Sequence, residues 1–356
     1  MRAVSTLIIA TFQFLLFSNV LAGGPTAAKY AGEFLALGAG GRSLGMGGAF
    51  VALARDVTAG YWNPAGLSFL DYPQFMLMHS RQFAGNVNYD FGSAGFPVGR
   101  RTSFGLSIIR LGVDDIQETA LRNPDIGLGE TYRDENGQLV RNTPFVANLF
   151  SSTDYALFLT YSKRVADSFA YGGNIKLINR SIGDNSAWGI GFDVGFLFSP
   201  ISRLIVGLNF RDVTTTLISW DTGRDELIRP SIRAGVTFPF FLSALGGQLQ
   251  PSVDFVIHFE DRGGDAALAD IGPGSLDINF GWEYLYHDAF AIRFGLADLG
   301  ESQSSQIDIG KLSAGVGLHF PKLQIDYAYL GHEDLGSTHR ISAKLTLQEP
   351  RFRRKK

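Results

Sequence analysis

The side chains able to do chemistry are six histidines and a set of charges isolated inside apolar runs. The histidines are His79, His258, His287, His319, His332 and His339; the charges are Asp193, Arg211, Arg233, Asp254, Asp277, Arg293, Asp326, Arg340 and Lys344. Zinc needs ligands brought together at short spacing, and an activated nucleophile needs a base beside it. These histidines fall in separate segments with neither metal spacing nor a recognisable serine partner, and the chain has 0 cysteines. No catalytic residue, metal ligand or cofactor is therefore expected, and the chain reads as a non-enzyme. In "LGAGGRSLGMGG" the residues Gly38, Gly40 and Ser43 leave the dinucleotide pattern G-x-G-x-x-G incomplete, with no βαβ unit around it. A net charge of -3 with 18% charged residues gives no basic field for nucleic acid.

Elements that could position the isolated charges follow from periodicity. In "SAWGIGFDVGFLFSP", Trp188, Ile190, Phe192, Val194, Phe196 and Phe198 share one face; Ala187, Gly189, Gly191, Asp193 and Gly195 share the other. "SLDINFGWEYLYHD" sets Leu276, Ile278, Phe280, Trp282, Tyr284 and Tyr286 against Asp277, Asn279, Gly281 and Glu283. "QLQPSVDFVIHFE" divides the same way, with Asp254 and His258 on the polar side. A sandwich would turn faces rich in Lys, Glu and Thr to water. Here the non-aromatic faces carry Gly, Ala, Ser and single charges, which suits a crowded barrel lumen. Every isolated charge listed above falls on that face, as expected where Arg or Lys on the lipid side costs about 2–4 kcal/mol. Asp193, Arg211, Arg233, Asp254, Asp277 and Arg293 are thus expected to face the lumen as a mutually satisfied network, with His258 and His319 beside them.

Segments of this kind begin near residues 73, 87, 102, 153, 168, 186, 203, 228, 248, 275, 288, 310, 322 and 339. The fold class predicted is all-β: an antiparallel transmembrane β-barrel of about 14 strands spanning residues 73–347, with outer-membrane lipid around it. Short turns ("PVGR", "VADS", "SPIS", "YHDA", "FPK") follow even strands, and longer loops such as "DVTTTLISWDTGRDELI" follow odd ones. Both termini are then expected at the periplasmic, short-turn end. "PFFLSALGG" is apolar where a polar turn belongs, and either extends a strand or lies in the interface. Residues 113–150 are too long for an unstructured connection, so they are expected to cover or line the outer mouth. Within them "DDIQETALR" suits a short helix with acids at its N-terminus, and "FVANLF" is an apolar patch.

Residues 1–22 read as a cleaved secretory signal, with Arg2, the apolar run "LIIATFQFLLF" and a small-residue site ending at Ala22. Residues 23–72 precede the first strand and are rich in glycine, including Gly45, Gly47 and Gly48. Asn63 is placed to cap a turn that Pro64 and Ala65 begin. A compact segment of this kind, small enough to enter a lumen, is expected to be a hatch. Residues 348–356, "QEPRFRRKK", form a basic tail beyond the last strand.

The stretch "GAGGRSLGMGGAFVALARDVTAGYWNPAGLSFL" (residues 38–70), followed by strands to the end, resembles the PorV/PorQ family of outer-membrane proteins, itself similar to the FadL long-chain fatty-acid transporters. The resemblance implies a fourteen-stranded barrel in the bacterial outer membrane, with Asn63, Pro64 and Ala65 in a hatch folded into it. It implies two kinds of partner. FadL relatives pass hydrophobic small molecules, whereas PorV relatives bind C-terminal signals of secreted cargo proteins for the type IX secretion system. The chain departs from the usual outer-membrane ending, since "ISAKLTL" lacks a terminal aromatic. Passage of a hydrophobic compound through a plugged lumen is the leading expectation, with the secretion role as its alternative.

Overall fold

The computed structural model describes residues 26–27, 32–82, 85–260, 269–271, 274–301, 307–308, 311–332, 336–349 and 354. The expected signal sequence lies outside these residues, and only parts of the expected hatch and basic tail fall within them.

Fourteen strands form the wall: β1 (Gln74–Gln82), β2 (Val87–Val98), β3 (Thr102–Leu121), β4 (Pro144–Ala166), β5 (Phe169–Ile182), β6 (Asn185–Ile201), β7 (Leu204–Arg211), β8 (Ser231–Thr237), β9 (Gly247–His258), β10 (Gly274–Tyr286), β11 (Phe290–Glu301), β12 (Lys311–His319), β13 (Leu323–His332) and β14 (Gly336–Thr346). Each pairs antiparallel with its sequence neighbour, and β1 pairs with β14 from Gln74↔Thr346 to Arg81↔His339, which closes the barrel. Closure removes the unpaired edge that an open sheet would expose. Alternation sets the faces: Trp188, Ile190, Phe280, Trp282, Phe294, Val316 and Ile341 are exposed outside, while Asp193, Asp254, Asp277, Glu283, Arg293, Asp326 and Arg340 are buried. No described helix is long and apolar enough to cross a membrane; this chain meets the bilayer with strands.

Three local expectations change, and one left open between two readings is resolved as strand pairing. "DDIQETALR" is not a helix but the far end of β3, where Ile116 pairs with Phe150 and Leu121 with Pro144. A long-range strand partner overrides the local preference, with a bulge at Asp115 (φ 55°) accommodating the extension. β4 therefore begins at Pro144, nine residues before the position read from alternation, because the arm lies beyond the belt where one face is apolar. "PFFLSALGG" forms a small hairpin, Phe240–Leu242 pairing with Gly247–Leu249 around a 3₁₀ turn at Ser243–Leu245. The loop after β5 is only a tight turn between Ile182 and Asn185, so long loops do not follow every odd strand.

The chain's entry also differs from expectation. Thr26–Ala27 pairs in parallel with Glu226–Leu227 at the long-loop end, so residues 32–70 pass from that end to the short-turn end before β1 begins. This inner segment contains a 3₁₀ turn at Glu33–Leu35, helix α1 (Gly41–Gly45), helix α2 (Ala59–Trp62) and a 3₁₀ helix at Pro64–Phe69. Its apolar side chains, Phe34, Met46, Phe50, Tyr61, Trp62 and Leu67, are buried with Phe91, Ile109, Phe158 and Ile178 of the wall in one core. The core therefore sits inside the barrel on the β1–β6 side.

The face assignment makes a quantitative prediction. Phe280→Arg puts a guanidinium on the outer face at mid-strand and should cost about 2–4 kcal/mol of folding free energy in lipid vesicles. Leu139→Arg, in the separate hairpin that Thr131–Arg133 and Leu139–Arg141 form beyond the wall, should stay within about 0.5 kcal/mol. Denaturant titration of both vesicle-folded variants checks the difference.

Candidate functional site

The inner segment fits the lumen because the wall is bare of side chains where it touches. Wall glycines sit opposite one another in cross-strand pairs: Gly95↔Gly105, Gly172↔Gly195, Gly207↔Gly235 and Gly281↔Gly295. A Cβ at Gly295 would stand 2.0 Å from the Gly47 nitrogen, one at Gly281 2.2 Å from the Met46 oxygen, and one at Gly207 2.5 Å from the Val51 oxygen. At Gly172 it would meet the Pro64 carbonyl carbon at 2.5 Å, and at Gly195 the Asn63 Oδ1 at 2.2 Å. At Gly172, Gly207, Gly281 and Gly295 backbone therefore lies directly on backbone, while Gly195, Gly95 and Gly105 receive the side chains of Asn63, Leu70 and Leu67, and only glycine permits these approaches.

Polar ties fix the same contact. Asn63 Oδ1 accepts from the Ala65 N–H at 3.2 Å, which caps the Pro64–Phe69 turn, while its Nδ2 donates to Val51 O and Phe196 O at 3.1 and 3.0 Å. Asp254 Oδ2 accepts from the N–H groups of Phe50 and Val51 at 2.9 and 3.0 Å. Arg233 lies 3.9 Å from that carboxylate, donates to Gly48 O at 3.0 Å and stands over the Trp62 ring. Arg211 donates to Leu35 O, and Arg340 to Leu37 O and Gly38 O. Three guanidiniums thus donate to main-chain carbonyls of the segment, Leu35 O sharing its bond with the Tyr61 hydroxyl.

The remaining sequence-singled charges form separate networks. Asp193 pairs with Lys176 at 2.8 Å and accepts from Asn174 and the Asp212 N–H; Lys176 also pairs with Asp212. Asp277 lies 3.4 Å from His258. Arg293 bridges Glu283 and Asp326, and Glu283 takes a two-pronged contact from Arg42, Nε at 2.9 Å and the terminal nitrogen at 2.7 Å. Lys344 pairs with Asp56 at 2.8 Å. Gly45 touches Gly315, while Gly47 and Gly48 lie along β11 and beside Asn279. Sequence reading missed Arg42, Asp56, Asn174 and Lys176. Single charges within the glycine- and alanine-rich stretch "GGRSLGMGGAFVALARD" were the available signal for the first two.

One cavity is seated on the segment, and a second lies at the barrel rim without touching it. One of about 370 Å³ opens toward the long-loop end, between Leu37, Leu44, Gly48 and Trp62 of the segment and Arg211, Arg233, His258, Asp277, Asn279, Leu330 and Arg340 of the wall. The other, about 490 Å³, lies at the short-turn end among Gln74, His287, His319, Gln324 and Lys344. Among the described residues no group of three or more His, Cys, Asp or Glu could hold a metal ion.

No family model and no curated protein sequence matches the chain. Solved structures do. A Pseudomonas aeruginosa FadL homologue superposes with a TM-score of 0.53 at 14% identity over 86% of this chain and 98% of that one. The fold is FadL-like. The Ralstonia pickettii toluene transporter TbuX matches with the same TM-score at 15% identity (86% of this chain, 97% of that one). The Pseudomonas putida toluene transporter TodX also gives 0.53, at 14% identity over 88% and 99%. At these identities the likeness establishes the architecture.

The steric account of the FadL-like lumen is testable at one position. Gly295→Val would drive methyl groups into Gly47 and should destabilise the protein by about 1–3 kcal/mol or more. Gly92→Ala, whose nearest neighbour is an Ile108 methyl at 3.3 Å, should cost less than about 1 kcal/mol. Limited proteolysis within residues 32–70 should accelerate only in the first variant.

Proposed function

We propose that this protein is a bacterial outer-membrane channel for hydrophobic small molecules, in which residues 32–70 act as a hatch closing the lumen. The observation that carries the reading is the combination of a FadL-like barrel matched along nearly its whole length with a cavity of about 370 Å³ seated on the inner segment. Two proteins of the same architecture are toluene transporters, which supports a transport role over the secretion role that the PorV/PorQ resemblance of residues 38–70 also implies. The cavity lining is mixed: Leu37, Leu44, Trp62, Val256 and Leu330 offer apolar surface beside Arg211, Arg233, Asn279 and His258. Such a lining suits a compound with an apolar body and a polar group better than a pure hydrocarbon. Nothing in the mechanism requires a covalent step: the ligand leaves water, sits on the hatch and moves on when the segment yields. The strand ends carrying short turns face the periplasm in this reading, and the β3–β4 arm faces outward.

The hatch assignment predicts that deleting residues 32–70 leaves a barrel that still inserts, because each strand keeps its neighbours and its outer apolar face. In planar bilayers the deletion variant should conduct ions and the intact protein should be closed. Equal conductance of the two would overturn the hatch. Uptake of labelled hydrophobic compounds by cells with and without the intact protein tests the channel itself, and no difference across compounds bearing a polar group would overturn it.

A further inference from the structure

Three arginines from three parts of the chain meet at the short-turn end of the lumen. Arg55 of the inner segment lies over the Phe69 ring at 4.3 Å, and Arg164, near the end of β4, stands 5.3 Å from the centre of the same ring. Arg354 of the basic tail enters beside them and is 7% exposed. Its N–H donates to Asp71 O at 2.8 Å, and its guanidinium donates to Ser68 O, to Ser103 Oγ and, at 2.9 Å, to Thr102 O. Arg164 follows Ser162, whose hydroxyl accepts from the Ser68 N–H, by two residues and so shares its lumen face. Ser199, which accepts from Arg55 at 3.2 Å, lies on the face of Gly195 and Asp193 for the same reason. The cluster therefore sits inside the mouth of the barrel, on the side away from lipid.

Other cations of the lumen are matched by carboxylates: Lys176 by Asp193 and Asp212, Arg293 by Glu283 and Asp326, Lys344 by Asp56. Among the described residues, none of Arg55, Arg164 and Arg354 has such a partner. Asp56, the chain neighbour of Arg55, is taken by Lys344. Asp71, whose charge favours Arg354, is exposed and forms no ion pair with it. Arg164 repels both of the other guanidiniums. Each of the three also keeps a buried Nε–H with no acceptor among the described residues. Like charges gathered away from water are costly unless a counter-charge joins them. Carbonyl oxygens and the face of one phenyl ring supply only partial charge.

We propose that Arg55, Arg164 and Arg354 form a binding site for a soluble, multivalent oxyanion of the phosphate class that enters through the short-turn mouth. Guanidinium forks match the oxygen pairs of such an anion, and the Ser199 hydroxyl beside Arg55 can add a donor. Two negative charges suit three unmatched cations better than the single charge of a monocarboxylate. Bound there, the anion links the inner segment, the wall and the tail, which gives the basic residues beyond β14 a role. The site lies at the other end of the lumen from the cavity of about 370 Å³, so it stands apart from the channel reading.

The test is calorimetric titration of inorganic phosphate into the full-length protein in alkyl-glucoside micelles, which contain no phosphate. One site per chain should saturate. Arg55→Gln and Arg164→Gln should each weaken binding at least tenfold, whereas Lys322→Gln, in the exposed turn between β12 and β13 at the same end, should leave it unchanged. Absence of saturable binding, or an equal loss in Lys322→Gln, overturns the site. Thermal unfolding of the intact protein keeps the proposal testable should a variant fail to fold. Phosphate should raise the midpoint more than chloride does at equal ionic strength, and equal rises overturn the site. Without phosphate, Arg164→Gln should melt no lower than the intact protein, because a repulsion is relieved. A loss that is the same with and without phosphate marks a purely structural arginine and overturns its role. Soluble glycerol phosphate should displace inorganic phosphate; displacement by micellar phosphatidic acid alone assigns the site to a lipid headgroup and overturns entry from water.

Discussion

Close contact between backbone and backbone is the constraint on which the rest of the structure depends. A fourteen-stranded wall leaves a lumen that side chains alone would fill loosely or water would occupy. Here paired glycines on adjacent strands let the main chain of residues 46–65 lie on the sheet itself, so that Met46, Gly47, Val51 and Pro64 each approach where any Cβ would collide. The apolar side chains of the segment are then free to gather on one side, around Tyr61 and Trp62, in the core shared with β1–β6. Asymmetry follows: the β1–β6 side is packed largely like a globular interior around the buried Lys176–Asp193 pair, and the other side carries most of the couplers and the cavity of about 370 Å³.

The charged half obeys a different rule. In a low-dielectric interior an unpartnered polar group is costly, so charges are used where main-chain groups need partners. Asp254 takes two consecutive N–H groups, and Arg211, Arg233 and Arg340 take carbonyls from the opposite polarity of the same segment. These residues read as structural couplers between wall and segment. Arg42, Glu283 and Arg293 are different in kind, since one carboxylate serves two cations from two parts of the chain.

The barrel was legible because alternation of one apolar and one small or charged face is imposed over every strand by lipid on one side and a crowded lumen on the other. Thirteen of the fourteen strand starts fall within three residues of positions read from that alternation, the exception being Pro144. The exceptions arose where that constraint lapses. Beyond the belt, the β3–β4 arm is exposed on both faces, its pattern fades, and "DDIQETALR" satisfies a helix locally while pairing with Phe145–Phe150 globally. The side from which the inner segment enters depends on the contact of Thr26–Ala27 with Glu226–Leu227, a pairing two hundred residues apart that no local pattern carries. The Asn63 cap was legible from Asn-Pro-Ala alone. The glycine pairs were present in the sequence as lumen-face glycines of successive strands, but their purpose appears only when the registers place Gly281 beside Gly295 and both beneath Met46 and Gly47.

The most direct measurement of the central claim is amide hydrogen exchange on the full-length protein in lipid. The Phe50 and Val51 N–H groups, bound to Asp254, and the Ser68 N–H, bound to Ser162, should exchange as slowly as strand amides at Gly281 and Gly295. Exchange of those inner-segment amides within seconds, while the strands remain protected, would contradict the account.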